Sequence, residues 1–81
     1  MVLKKGHPMA PDTLKAAIDD MLKGIDTRLS GASALAKAAT ACAKSGNQQQ
    51  AITIALDIEQ LVYEASTLLN AASLMNRCGQ S

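Results

Sequence analysis

Side chains able to do chemistry are few in this 81-residue chain, and their spacing keeps them apart. Two carboxylate pairs occur, Asp19 with Asp20 and Asp57 with Glu59, the raw material of general acid and base catalysis. On a helix, residues one or two positions apart point to different faces, so neither pair converges on one substrate. Both pairs read as solvated faces. Lys15, Asp19 and Lys23 stand four apart, a ladder of surface ion pairs worth about 0.2–0.5 kcal/mol each.

His7 is the only histidine and sits between Gly6 and Pro8, where it reads as a solvated arm residue. The serines have no other candidate base, which argues against a hydrolase triad. Cys42 and Cys78 are too few for a disulfide framework, and their spacing matches no zinc motif. Both are expected to be reduced, Cys42 packed as a small hydrophobe and Cys78 exposed in a polar tail. No face gathers several His, Cys or carboxylates for a metal. No glycine loop cradles a phosphate, since Gly24 and Gly31 fall inside a helical pattern. The expectation is a chain that is not an enzyme, with no catalytic residue, cofactor or metal.

The pattern that dominates runs from Ala51 to Met75. Ile54, Ile58, Leu61, Ala65, Leu68, Ala72 and Met75 recur at alternating steps of three and four, and Ala51, Ala55, Val62 and Leu69 widen the stripe. That spacing predicts an amphipathic helix committed to a partner. Upstream, Leu14, Ile18, Leu22, Ile25, Leu29, Ala32, Ala36, Ala39 and Ala43 form a second line, with Met21, Leu35 and Cys42 as its shoulder. Gly24 and Gly31 each cost about 1 kcal/mol of helix propensity relative to Ala, and a break near Ser30-Gly31 is the alternative. The phase continues across both glycines, which predicts one long helix.

Pro11, Asp12 and Thr13 open that helix, with Asp12 as cap or first-turn anion. At its end, Lys44 complements the dipole and Gly46 suits the left-handed position beyond the last turn. Asn47 then caps the next helix, with Gln50 three residues on as in a capping box. A stop followed at once by a start is a tight turn, so the helices lie antiparallel. The predicted fold is all-α: an arm over 1–11, a helical hairpin over 12–77, and a tail over 78–81. Within the hairpin the helices span about 12–44 and 48–77, with the turn at 45–47. The arm lacks periodicity and reads as mobile, and Met9 offers an alternative start.

With the turn near Gly46, positions whose numbers add to about 93 face one another at a common rise per residue. That register sets Arg28 beside Glu64, Lys37 near Asp57, and large residues against alanines in both halves. It also places Cys42 and Cys78 at opposite ends, beyond reach of a bond within one hairpin.

The chain has no Trp or Phe and a single Tyr63, so its core must be assembled from aliphatic residues and many alanines. A chain this small usually needs a second copy or a partner to complete such a core. Ile52, Leu56, Tyr63 and Leu74 form a further apolar row turned away from the main stripe. They are the expected interaction face, buried when two hairpins pair as a dimeric four-helix bundle. Tyr63 is its best anchor, because its ring packs while its hydroxyl stays wet. A net charge of +1 gives no electrostatic reason to expect nucleic acid or anionic lipid. No apolar run is long enough to span a membrane, and Met1 to Met9 lacks the apolar core of a secretory signal, so a cytoplasmic location is expected.

From Asp26 to Ala72 the chain resembles small proteobacterial helical-hairpin proteins of uncharacterised function. The resemblance lies in "LSGASALAKAATACA" followed, after the polar turn, by "QAITIALDIEQLVYEASTLL". Ala51, Ile54, Ala55, Ile58, Gln60, Leu61, Val62, Leu68 and Leu69 carry it, and it implies the hairpin and a bacterial origin. Secretion-needle subunits are similar in length, but their proline-containing turn is replaced here by Lys44-Ser45-Gly46-Asn47. Dimeric RNA-binding hairpins use a basic stripe where this chain carries Asp57, Glu59 and Glu64. The function expected is a homodimeric adaptor, regulator or inhibitor of a partner protein. A structural subunit or secretion-type co-chaperone is the alternative. Nucleic-acid binding through Lys4, Lys5 and the first helix's lysines ranks third.

Overall fold

The structure, a computed structural model, describes residues 11–79 as two helices joined by a tight turn: α1, Pro11–Lys44, and α2, Gln48–Gly79. No strand occurs among the described residues. The expected arm, with His7, Lys4, Lys5 and Met9, lies outside them, as do the last two residues of the tail. Proline at the first helical position loses nothing, because its missing N–H would have had no partner there. α1 then runs through Gly24 and Gly31 without a break.

The turn closes by backbone hydrogen bonds that the sequence foreshadows. Asn47 N donates to Cys42 O at 2.9 Å and Gly46 N to Ala43 O at 3.0 Å. This is a Schellman closure, with Gly46 at φ 89° in the left-handed region. Asn47 Oδ1 accepts from Gln50 N at 3.1 Å, so Asn47 caps α2. The expected return bond from the Gln50 side chain is not made. The Asn47 N–H that it needed is already committed to closing α1.

The antiparallel register matches the expected one to within a residue. Arg28 Nε donates to Glu64 Oε1 at 3.1 Å, while Gly24 faces Leu68 and Gly31 faces Leu61. Lys37 and Asp57 make no ion pair, because both side chains are exposed and turned away from the seam. Among the described residues the deepest positions are four alanines, Ala32, Ala51, Ala65 and Ala72, at 5–8 % exposure. By register each lies level with a different seam residue: Leu61, Cys42, Arg28 and Met21 respectively. Three of these pairings set a long side chain against a methyl, which lets the helices approach closely.

In α1 the seam is turned from the expected line. Ile18, Ile25, Ala32 and Ala39 face α2 as expected, but Met21, Arg28, Leu35 and Cys42 complete the row. Leu22, Leu29 and Ala36 point outward, the two leucines at 50 % and 48 % exposure. The cause lies at the glycines. A Cβ built on Gly24 would stand 2.9 Å from Leu68 Cδ1, and one on Gly31 would stand 3.3 Å from Leu61 Cδ1. The leucines of α2 nest over these bare backbones, and α1 rolls toward its glycine flank to admit them.

α2 keeps its expected face, since Ala51 through Met75 along the stripe are buried or half-buried. Of the residues widening it, Ala55 is half-buried, but Val62 and Leu69 are exposed. The helix also continues through Cys78 and Gly79, where a tail was expected. Gly79 packs so closely on Leu14 that a Cβ there would overlap the leucine methyl.

Candidate interaction surface

α2 presents Ile52, Leu56, Tyr63 and Leu74 on the side opposite the seam, at 58, 59, 68 and 54 % exposure. Steps of four, seven and eleven residues at about 100° each all return to one strip about 40° wide, so the helix itself aligns them. Ile52, Leu56 and Tyr63 are consecutive along that strip. Leu74 stands about 16 Å beyond Tyr63 at 1.5 Å per residue, past exposed Thr67 and Asn70.

A second exposed apolar surface consists of residues whose spacing predicts a place in the seam or on its margin. Leu22 and Leu29 on α1 and Val62 and Leu69 on α2 are 45–55 % exposed. In an antiparallel pair these positions, one step past the seam on each helix, lie along the same flank of the hairpin. A shallow depression lined by Ala55, Ile58, Glu59, Val62 and Tyr63 joins this flank to the outer row of α2. The opposite flank carries Gly24 and Gly31 on α1 and Asp57 and Glu64 on α2, and it is polar. The glycines were the available signal, since close approach on their side frees the other side.

The groups weighed for chemistry are dispersed. Lys15 Nζ pairs with Asp19 Oδ2 at 2.7 Å, and that hydrogen bond, with the carboxylate's charge, raises the ammonium above its usual range. Asp20 is exposed on α1, and Asp57 and Glu59 are exposed on different faces of one turn of α2. Among the described residues no three His, Cys, Asp or Glu side chains gather to hold a metal. None of the described polar side chains is buried. Cys42 is half-buried at the turn end and Cys78 exposed at the other. Among the described residues no helix is long and apolar enough to cross a membrane.

No protein-family model matches this chain, and neither the curated proteins nor the solved structures hold a match.

Proposed function

We propose that the chain is a non-enzymatic, cytoplasmic protein–protein interaction module. It pairs with a second copy into a four-helix bundle and serves as an adaptor, regulator or inhibitor of a partner protein. The observation that carries this reading is an imbalance of burial. Among the described residues the buried core is four alanines, no large side chain is fully buried, and eight large apolar side chains are 45–68 % exposed. Alanine removes little area from water at about 25 cal/mol per Å², so a solitary hairpin gains little and leaves much apolar surface wet. Docking that surface on protein corrects both. Ile52, Leu56, Tyr63 and Leu74 are the proposed contacts with the partner protein, with Tyr63 as anchor.

Light scattering coupled to sizing tests the reading. The expected mass is twice the 8.4 kDa of one chain, constant across a hundredfold range of concentration. Growth without limit would point instead to a structural subunit, because apolar faces that do not close on themselves build filaments. A monomer at all concentrations would overturn the dimer.

A further inference from the structure

We infer that the second copy sits on the hairpin flank formed by Leu22, Leu29 and Ala36 of α1 with Ala55, Val62 and Leu69 of α2, its turn at the opposite end. This inference rests on the dimeric reading above and names the surface and the orientation. The outer row of α2 is then left at the edge of the bundle, open to a different protein.

Three observations select this occupant. The first is its size. Leu29 and Val62 lie near the midpoints of Pro11–Lys44 and Gln48–Gly79, so a copy reversed about them overlaps both helices along nearly their full length. A face about 45 Å long and two helix widths, about 20 Å, across covers roughly 900 Å² per copy. A stable dimer needs about 800 Å² per partner.

The second is shape. The flank is bulky at the open end (Leu22, Leu69), intermediate at the middle (Leu29, Val62) and small toward the turn (Ala36, Ala55). Reversal about the middle sets Leu22 on Ala36 of the second copy and Leu69 on its Ala55. Leu29 and Val62 then meet their own equivalents at the two-fold axis. This is the self-complementarity that a two-fold interface requires. With both turns at the same end, large residues would meet large and small would meet small.

The third is charge. Under reversal Asp19 falls within one residue of the level of Thr40 of the second copy, Asp26 of its Ser33 and Glu59 of its Ser66. Each acid thus faces a hydroxyl rather than another acid. Lys37 of the second copy falls between Asp19 and Asp26. No acid opposes an acid along either edge, as specific pairing favours, and the one like pairing, Lys15 level with Lys44 of the second copy, falls at the bundle ends where Asp19 already holds Lys15.

The test compares variants by sizing, with circular dichroism as the check on folding. Leu29, Val62 and Tyr63 are exposed in the single hairpin, so helicity should be kept in the variants that test the surface. Leu29→Glu with Val62→Glu places four carboxylates at the two-fold axis and should raise the dimer dissociation constant by at least about a hundredfold. Tyr63→Asp should change it less than about threefold, as substitutions at an interface edge do. A Lys44→Cys variant, with Cys42→Ala and Cys78→Ser, can then carry a spin label near the turn. Opposed turns predict labels about 45 Å apart, from thirty residues at 1.5 Å each. Labels within about 20 Å would mean turns at the same end and would overturn the orientation. A dimer split by Tyr63→Asp but not by the double variant would move the interface to the outer row. The dimeric reading would stand in that case and this inference would fail. A wild-type monomer would remove both.

Discussion

Arg28 Nε donates to Glu64 Oε1 at 3.1 Å, an ion pair that ties α1 to α2 from within the seam. Arg28 Nη1 also donates to Gly24 O at 3.1 Å, and Gln60 Nε2 donates to Glu64 Oε2 at 2.8 Å. Both charged side chains are a little over a third exposed, so water screens much of their attraction. A double-mutant cycle with Arg28→Ala and Glu64→Ala should give a coupling of about 0.5–1 kcal/mol that shrinks in high salt. Arg28→Met keeps the apolar stem over Ala65 and should leave stability within about 0.5 kcal/mol of wild type. The pair fixes register more than it stabilises. Urea melts of the four proteins of the cycle and of Arg28→Met measure both effects.

Three glycines should answer replacement by alanine in three ways. Gly46 holds φ 89°, so a side chain there is strained, and Gly46→Ala should cost about 1–2 kcal/mol. At Gly31 the new methyl meets only the end of Leu61 at 3.3 Å, and about 1 kcal/mol of helix propensity is recovered. Gly31→Ala should therefore stabilise. At Gly24 the same gain meets Leu68 Cδ1 at 2.9 Å, and shifting that rotamer costs about 0.5–1.5 kcal/mol. Gly24→Ala should come out near neutral. Each kcal/mol moves the melting temperature by about 4–8 °C in a domain of this size, so thermal scans resolve the order.

Those glycines also mark where the sequence stops being legible. The stripe of α2 was readable because only one line of residues on it keeps the three–four rhythm in apolar letters. The turn was readable because Gly46 and Asn47 each suit one backbone role. On α1 two neighbouring rows are almost equally apolar: Leu22 and Leu29 on one, Met21, Leu35 and Cys42 on the other. Hydropathy cannot separate them. The choice is made by close approach at Gly24 and Gly31, residues that carry no apolar signal, and it draws the charged Arg28 into the seam. The exposed flank of Leu22, Leu29, Val62 and Leu69 is the other side of that choice.

The Lys15–Asp19 pair at 2.7 Å should leave a mark at alkaline pH. The Asp19 hydrogen bond and charge raise the Lys15 ammonium above 10.5, its ordinary value. A raised folded-state value means the protonated form is held more tightly in the helix than in the unfolded chain. The stabilisation is therefore complete below the unfolded value and is lost as pH rises through the folded one. Between pH 5 and pH 9 it should be constant. Asp19→Asn should return the Lys15 titration midpoint, followed by NMR of the side-chain Cε protons, toward 10.5. An unchanged midpoint would show that Asp19 does not hold the ammonium in solution.

Leu61 and Tyr63 stand two residues apart on α2 and test the assignment of its faces directly. Leu61 is half-buried in the seam against Gly31, whereas Tyr63 is 68 % exposed on the outer row. Leu61→Asp drives a carboxylate between the helices level with Ala32, where none of the described cations stands to meet it. An uncompensated charge in such a place costs about 3–5 kcal/mol, as much as a hairpin of this size has to lose. The helical signal in circular dichroism should collapse at 25 °C and neutral pH, and return in part below about pH 4 as the carboxylate protonates. Tyr63→Asp puts the same charge in water, two residues on. Its helical signal and melting curve should match wild type, with any loss confined to binding of the partner protein. Equal behaviour of the two variants, whether both fold or both unfold, would mean that the seam and the outer row have been assigned to the wrong sides of α2.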